Sequence, residues 1–199
     1  MGKIPQGILG GVSGSVGNVT GGSWKGIAYL RSKPLNVSNP QTSGQVSQRS
    51  KFAYAVSYGK QILTQWIKPL VDRFTTKESG FNWYVSQNTE KIMDSGGFFS
   101  PAAQSLTIGN MEATQILTAT VDLSNGNMLV TWADDTGQGF KLADDEAYLC
   151  GWNRATQQYI GAGVTSVRAD LSAQISVTDI AVGNQIDCFL AFRRQNGQY

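Results

Sequence analysis

The chain contains no histidine. That excludes a Ser-His-Asp or Cys-His nucleophilic site, a His-ligated zinc and an imidazole proton relay, all of which depend on that ring. Charge is scarce too. Asp, Glu, Lys and Arg make up 15% of the 199 residues, against roughly 25% in an ordinary soluble domain. So few charges suit a chain that buries much of its surface against other chains. Only two cysteines occur, Cys150 and Cys188, so no disulfide framework is available. Both lie in apolar runs and read as small buried hydrophobes, with a bond between them open if their strands are neighbours. No apolar run approaches the ~18–20 residues of a membrane helix. The start, Met1-Gly2-Lys3-Ile4-Pro5-Gln6-Gly7, lacks both the apolar core of a signal peptide and the pattern for myristoylation. A bacterial cytoplasmic location is the expectation from these absences alone.

Glycine is abundant, and it is concentrated: nine of the 23 glycines fall in residues 1–26. They punctuate Ile8, Leu9, Val12, Val16, Val19 and Trp24. Glycine permits positive φ and close backbone approach, while the apolar residues between argue against a solvated linker, which would be polar. The reading is a Gly-rich, basic, extended N-terminal arm over residues 1–44, ordered by lying on something else. Residues 27–31 look like a short strand. The prolines at 34 and 40 then keep the chain out of the α region.

Charge is split along the chain. Residues 1–104 hold eleven Lys/Arg and four Asp/Glu, net +7, and residues 105–199 hold five and ten, net −5. The first acidic residue is Asp72. Such a split fits a basic arm for an acidic partner or polyphosphate, head-to-tail matching between subunits, or simply a polar segment that lacks acids. Candidate partner-binding residues are Trp24, Lys25, Arg31, Lys33, Arg49 and Lys51.

Residues 45–104 form the helical region. From about residue 43 to 77, Phe52, Val56, Leu63, Trp66, Ile67, Leu70, Val71 and Phe74 recur at helical spacing. Gly59 interrupts the apolar face and allows close packing there. Pro69 should kink or restart the helix. Ser79 is placed to cap a second helix whose face holds Phe81, Tyr84, Val85 and Ile92. Such a helical hairpin has too little core to stand alone and should pack on another element.

Residues 105–199 read as β. Alternation over 115–122, a turn at 124–127 and further strands at 128–132, 146–152, 159–163, 167–171, 175–177 and 185–194 suggest an immunoglobulin- or fibronectin-like β-sandwich, with Trp132 as its central aromatic. The fold class expected is therefore α+β: arm, helical hairpin, sandwich. An Asn196-Gly197 hairpin signal is followed by no returning strand. The expectation is an open sheet edge covered by another chain or by the N-terminal arm.

Chemistry-bearing motifs are few. The Gly-rich start lacks the phosphate-loop sequence, since Gly26 follows Lys25 where Ser or Thr is required. Asp134, Asp135, Asp144, Asp145 and Glu146 gather at the ends of one loop, a pattern open to Ca²⁺ ligation or acid/base work, but acidic loop ends on a sandwich are usually solvated or meet a basic partner. Aromatics among basic residues leave nucleic-acid stacking open as well. No catalytic, cofactor or metal site is assigned, and the chain is expected not to be an enzyme.

The stretch from Gly7 to Gly26, with its Trp24-Lys25-Gly26, resembles a family of unknown function found in Bacteroidota genomes and their phages. Tyr29-Leu30-Arg31-Ser32, Thr42-Ser43-Gly44-Gln45, Lys51-Phe52 and Cys188-Phe189-Leu190-Ala191-Phe192 carry the likeness further along the chain. The resemblance implies no catalytic residues, but its phage occurrence implies a virion component. The expected function is a non-enzymatic structural or interaction protein of a phage particle (head, neck or tail subunit, or decoration) docking through its basic N-terminal half, homo-oligomeric or part of a larger assembly. The alternatives are a protein- or glycan-binding module using the sandwich loops, and a nucleic-acid-associated protein. No membrane partner is expected.

Overall fold

A computed structural model describes residues 13–24, 27–34, 36, 39–109, 111–177 and 180–194. The chain falls into two compact units, Met1–Thr42 and Ser43–Tyr199.

The first unit is an antiparallel meander of β1 (Gly14–Val16), β2 (Val19–Trp24) and β3 (Ile27–Ser32), in that order. The described part of the expected extended arm pairs with itself. Val16 is opposite Val19, so Gly17-Asn18 is a two-residue loop. Gly17, at φ +57°, supplies the positive φ that such loops need at their first central position. Direct partners share a face, so Val16, Val19 and Leu30 lie on one side and Ile27, Tyr29 and Arg31 on the other. Both faces carry large exposed apolar side chains: Val16 is 67% exposed, Ile27 68% and Leu30 64%.

The second unit begins with α1 (Ser43–Gln61). The helix then widens into a π turn over Leu63–Ile67, where the N–H groups of Trp66 and Ile67 both donate to the Ile62 carbonyl at 3.0 Å. A short α2 (Lys68–Leu70) and a 3-10 turn at Asp72–Phe74 follow. Pro69 brings no N–H to the ladder, and the widening lies in the turn just before it. After it comes α3 (Gly80–Asn88), capped by Ser79, whose hydroxyl accepts from the Asn82 N–H at 3.2 Å. Gly59 of α1 lies against α3, and a Cβ there would stand 2.9 Å from Tyr84 Cδ1.

Among the described residues six strands follow: β4 (Ile116–Asp122), β5 (Asn127–Trp132), β6 (Glu146–Asn153), β7 (Gln158–Val167), β8 (Ser172–Ser176) and β9 (Ile186–Arg193). They form two antiparallel sheets, ordered β4-β5-β8 and β7-β6-β9. The fold is thus mixed, with three small antiparallel sheets and a few helices. Two expected strands merge or move. Residues 159–163 belong to a longer β7, and residues 167–171 are mostly a 3-10 turn, Arg168–Asp170, ending on Leu171 at φ +56°.

β6 explains how the layers hold together. Its side chains alternate between two cores. Tyr148, Cys150 and Trp152 join the cluster built by Trp66, Ile67, Tyr84 and Ile92 of the helical stretch. Ala147 and Leu149 join Met128, Val130, Trp132, Ala173 and Ile175 of β5 and β8. The helical and β stretches, read separately in the sequence, therefore share β6. Trp152 meets Tyr58, Phe98 and Tyr159 edge-on at 4.9–5.2 Å between ring centroids, a geometry that adds to simple burial.

Candidate functional site

The six candidate partner residues divide between the two units. Arg31, in β3 opposite Thr20, and Lys33 are exposed, and the Lys33 N–H donates to the Asn18 carbonyl at 2.7 Å. Trp24 ends β2 in register with Ile27. Lys25 lies outside the described residues. Arg49 and Lys51 belong to α1. Lys51 is half-buried, with Nζ 3.8 Å from Asp94 Oδ1 and 5.9 Å from the Phe99 ring centroid. The meander therefore carries exposed cations beside exposed apolar side chains, and all of its described residues are free of Asp and Glu.

Two carboxylates of the acidic loop belong to an interior ion network. Asp135 and Asp145 turn inward onto Arg168, which is fully buried. Arg168 Nη1 donates to Asp135 Oδ1 at 2.6 Å and to Thr114 Oγ1 at 2.8 Å, and Nε donates to Asp145 Oδ2 at 3.2 Å. Lys141 Nζ donates to Asp135 Oδ2 at 2.8 Å. Burial alone would raise the Asp135 pKa, but hydrogen bonds from Lys141, Thr114 and Arg168, with the Arg168 charge, hold it down at about 2. These carboxylates are committed to cations, while Asp134 and Asp144 face solvent. Among the described residues no group of three or more His, Cys, Asp or Glu is placed to hold a metal ion. Arg168 was missed in the sequence because Val167-Arg168-Ala169 has the look of a strand.

Beside this network runs a groove of about 200 Å³. One wall is three consecutive residues of β9, Leu190, Ala191 and Phe192; the other is the irregular stretch 107–114 with Leu70 and Phe74 behind it. Consecutive residues on one wall mean that the strand presents its backbone edge. Among the described residues β9 pairs only with β6, and no backbone hydrogen bond joins it to 107–114. A second, open groove lies between α1 and α3, lined by Phe52, Val56, Phe81 and Val85.

The two cysteines are free. Cys150 is in register with Phe189, and Cys188 with Gly151. A one-position offset puts them on opposite faces of the sheet: Cys150 in the core shared with the helices, Cys188 against the core of β5 and β8. Burial pushes the Cys188 thiol up to about 11 and Cys150 higher still.

These features define a mixed α/β protein with exposed apolar and basic strands and an interior ion network. The chain belongs to the family described as a family of unknown function (DUF6266), whose model matches residues 11–199. No curated protein matches the chain, and no solved structure matches it. No helix of the described residues is long and apolar enough to cross a membrane.

Proposed function

We propose that this chain is a non-enzymatic structural subunit of a bacteriophage particle, made in the host cytoplasm and docked to neighbouring protein subunits through its basic N-terminal half. The observation that carries this reading is the meander. A three-stranded sheet with Val16, Ile27 and Leu30 each about two-thirds exposed leaves apolar surface that a small isolated sheet needs to cover. Arg31 and Lys33 beside those side chains favour an acidic covering surface. The two sheets of the second unit fit an immunoglobulin- or fibronectin-like sandwich, because the orders β4-β5-β8 and β7-β6-β9 share one core between their faces.

The test is sedimentation velocity of the full chain beside Ile27→Asp and Leu30→Asp, with mass spectrometry of purified phage particles. Concentration-dependent assembly that both substitutions abolish, and the chain's presence in particles, are expected. A strictly monomeric protein absent from particles overturns the reading. Retention on DNA or a glycan by the monomer would point instead to a binding protein.

A further inference from the structure

The β4–β5 and β6–β7 turns are built alike. Each spans four residues between paired strand ends, Asp122 with Asn127 and Asn153 with Gln158. In each, a side-chain oxygen of the first strand end accepts from the N–H two residues on. The Ser124 N–H donates to Asp122 Oδ1 at 2.8 Å, and the Ala155 N–H donates to Asn153 Oδ1 at 2.9 Å. In each, the fourth turn residue has positive φ, Gly126 at +62° and Gln157 at +56°. They differ at the nitrogen of that residue. The Gln157 N–H donates to the Asn153 carbonyl at 2.9 Å, whereas among the described residues the Gly126 N–H makes no hydrogen bond. Directly before it stands Asn125, exposed, with its amide Nδ2 donating to Asp122 Oδ2 at 2.6 Å.

We propose that Asn125-Gly126 is a self-modification site, where the Gly126 backbone nitrogen attacks the Asn125 side-chain amide and converts the turn to an aspartyl or isoaspartyl form. Water is the only co-reactant. The Gly126 nitrogen loses its proton to hydroxide and bonds to Asn125 Cγ. The Cγ–Nδ2 bond breaks, and ammonia leaves with a proton from water. Water then opens the resulting succinimide ring at either carbonyl, so one water is consumed and one ammonia released overall. Glycine puts no side chain in the way of the closing ring, and a nitrogen with no partner gives up no hydrogen bond in order to attack. The inference stands independently of the assembly reading.

The product undoes the turn that made it. Asp122 accepts from the Ser124 N–H, the Ser124 hydroxyl and the Asn125 amide, bonds that hold its carboxyl below the usual range, those from Ser124 foremost. After the reaction a carboxylate replaces the Asn125 donor, and two negative groups share one cap. The isoaspartyl form also adds a methylene to a loop whose ends are fixed by the Asp122–Asn127 pair. That displaces the Gly126 carbonyl, which accepts from the Val177 N–H at 2.8 Å. Ageing of this turn therefore loosens one end of the β4-β5-β8 sheet.

The experiment incubates the full chain at pH 8 in oxygen-18 water and maps the label by tandem mass spectrometry. Asn127, followed by Met128, is the internal reference. Label should enter position 125 at least roughly tenfold faster than position 127, and the native chain should react within about tenfold of the same chain unfolded in guanidinium. Asn125→Gln, which would have to close a larger ring, should leave position 125 unlabelled. A native rate slower than that limit overturns the proposal, since the fold would then be guarding the amide. Equal labelling of Asn127 overturns it as well. Isoaspartate at position 125 marks the ring route, because direct hydrolysis by water yields aspartate alone; a product without isoaspartate overturns the attack by Gly126. The aged chain, separated by its added negative charge, should exchange the Ser124 and Val177 amide hydrogens roughly tenfold faster than the fresh chain. Unchanged exchange at both overturns the loosening.

Discussion

The guanidinium of Arg168 lies over the ring of Phe192, 3.7 Å from its centroid. The same ring meets Trp132 edge-on at 5.4 Å, and the Trp132 indole N–H donates to the Arg168 carbonyl at 3.0 Å. One residue thus ties β5, the end of β9 and two acidic loop positions together, with its charge matched inside the protein by Asp135 and Asp145.

Removing one carboxylate from that arrangement leaves a buried cation short of a partner. Asp135→Asn should lower stability by about 2–4 kcal/mol, because losing one member of a buried pair costs more than the pair itself contributes. Arg168→Met, similar in length and apolar, should also destabilise, since Asp135 and Asp145 would then lack their shared donor. Urea unfolding of each variant checks this, and a loss under about 0.5 kcal/mol, typical of surface changes, would mean the network contributes little.

The pH dependence has two limbs. Asp135 has a folded pKa held at about 2, below its unfolded value near 4, so its contribution is complete above pH ~4 and is lost as pH falls toward 2. The shift corresponds to about 2 kcal/mol. At the alkaline end, burial raises Tyr58, Tyr84 and Tyr159, so the neutral phenols favour the fold below pH ~10 and this contribution is lost above it. Thermal melts from pH 2 to 11 should fall off on both sides, and Asp135→Asn should flatten the acid limb.

Gly59→Ala sets helix propensity against packing. Alanine favours the α1 interior by about 0.5–1 kcal/mol over glycine. Its Cβ would stand 2.9 Å from Tyr84 Cδ1 and 3.0 Å from Phe81 Cε2, and Tyr84 is fully buried. Overpacking costs about 1–3 kcal/mol, so the net expectation is a loss of ~1 kcal/mol by denaturant melt. A gain would mean the rings move aside freely.

Thiol labelling tests the strand register. In the folded protein at pH 8, Cys188 should react roughly a hundredfold more slowly than an unfolded thiol, and Cys150 should not react until the protein opens. Alkylation after denaturation without reductant should add to both sulfurs. A disulfide would require β9 to shift by one residue against β6.

Local sequence signals carried much of the fold. Ser79, the turn at 124–127, Gly59 at the helix contact and the strands at 128–132 and 146–152 were legible because each depends on neighbours within a few residues. The meander was legible only as a strand at 27–31 and an Ile/Val-studded glycine stretch, since pairing depends on which hairpin closes. A basic partner for Asp135 and Asp145 was among the readings open to the acidic loop, but its identity was not legible, because Arg168 is 33 and 23 residues away in sequence. The groove beside 190–192 had no local mark at all, because its far wall comes from residues 107–114. The hint was indirect, in the Asn196-Gly197 turn and the open edge it suggested.

β6 belongs to both cores of the second unit, and that arrangement bears on how this protein comes apart. Peeling away the helical stretch would strip Tyr148, Cys150 and Trp152, and peeling away β5 and β8 would strip Ala147 and Leu149. Neither layer can melt first without exposing the strand that supports the other. Residues 43–199 should therefore unfold in one cooperative transition, with the β6 amides among the last to exchange with solvent.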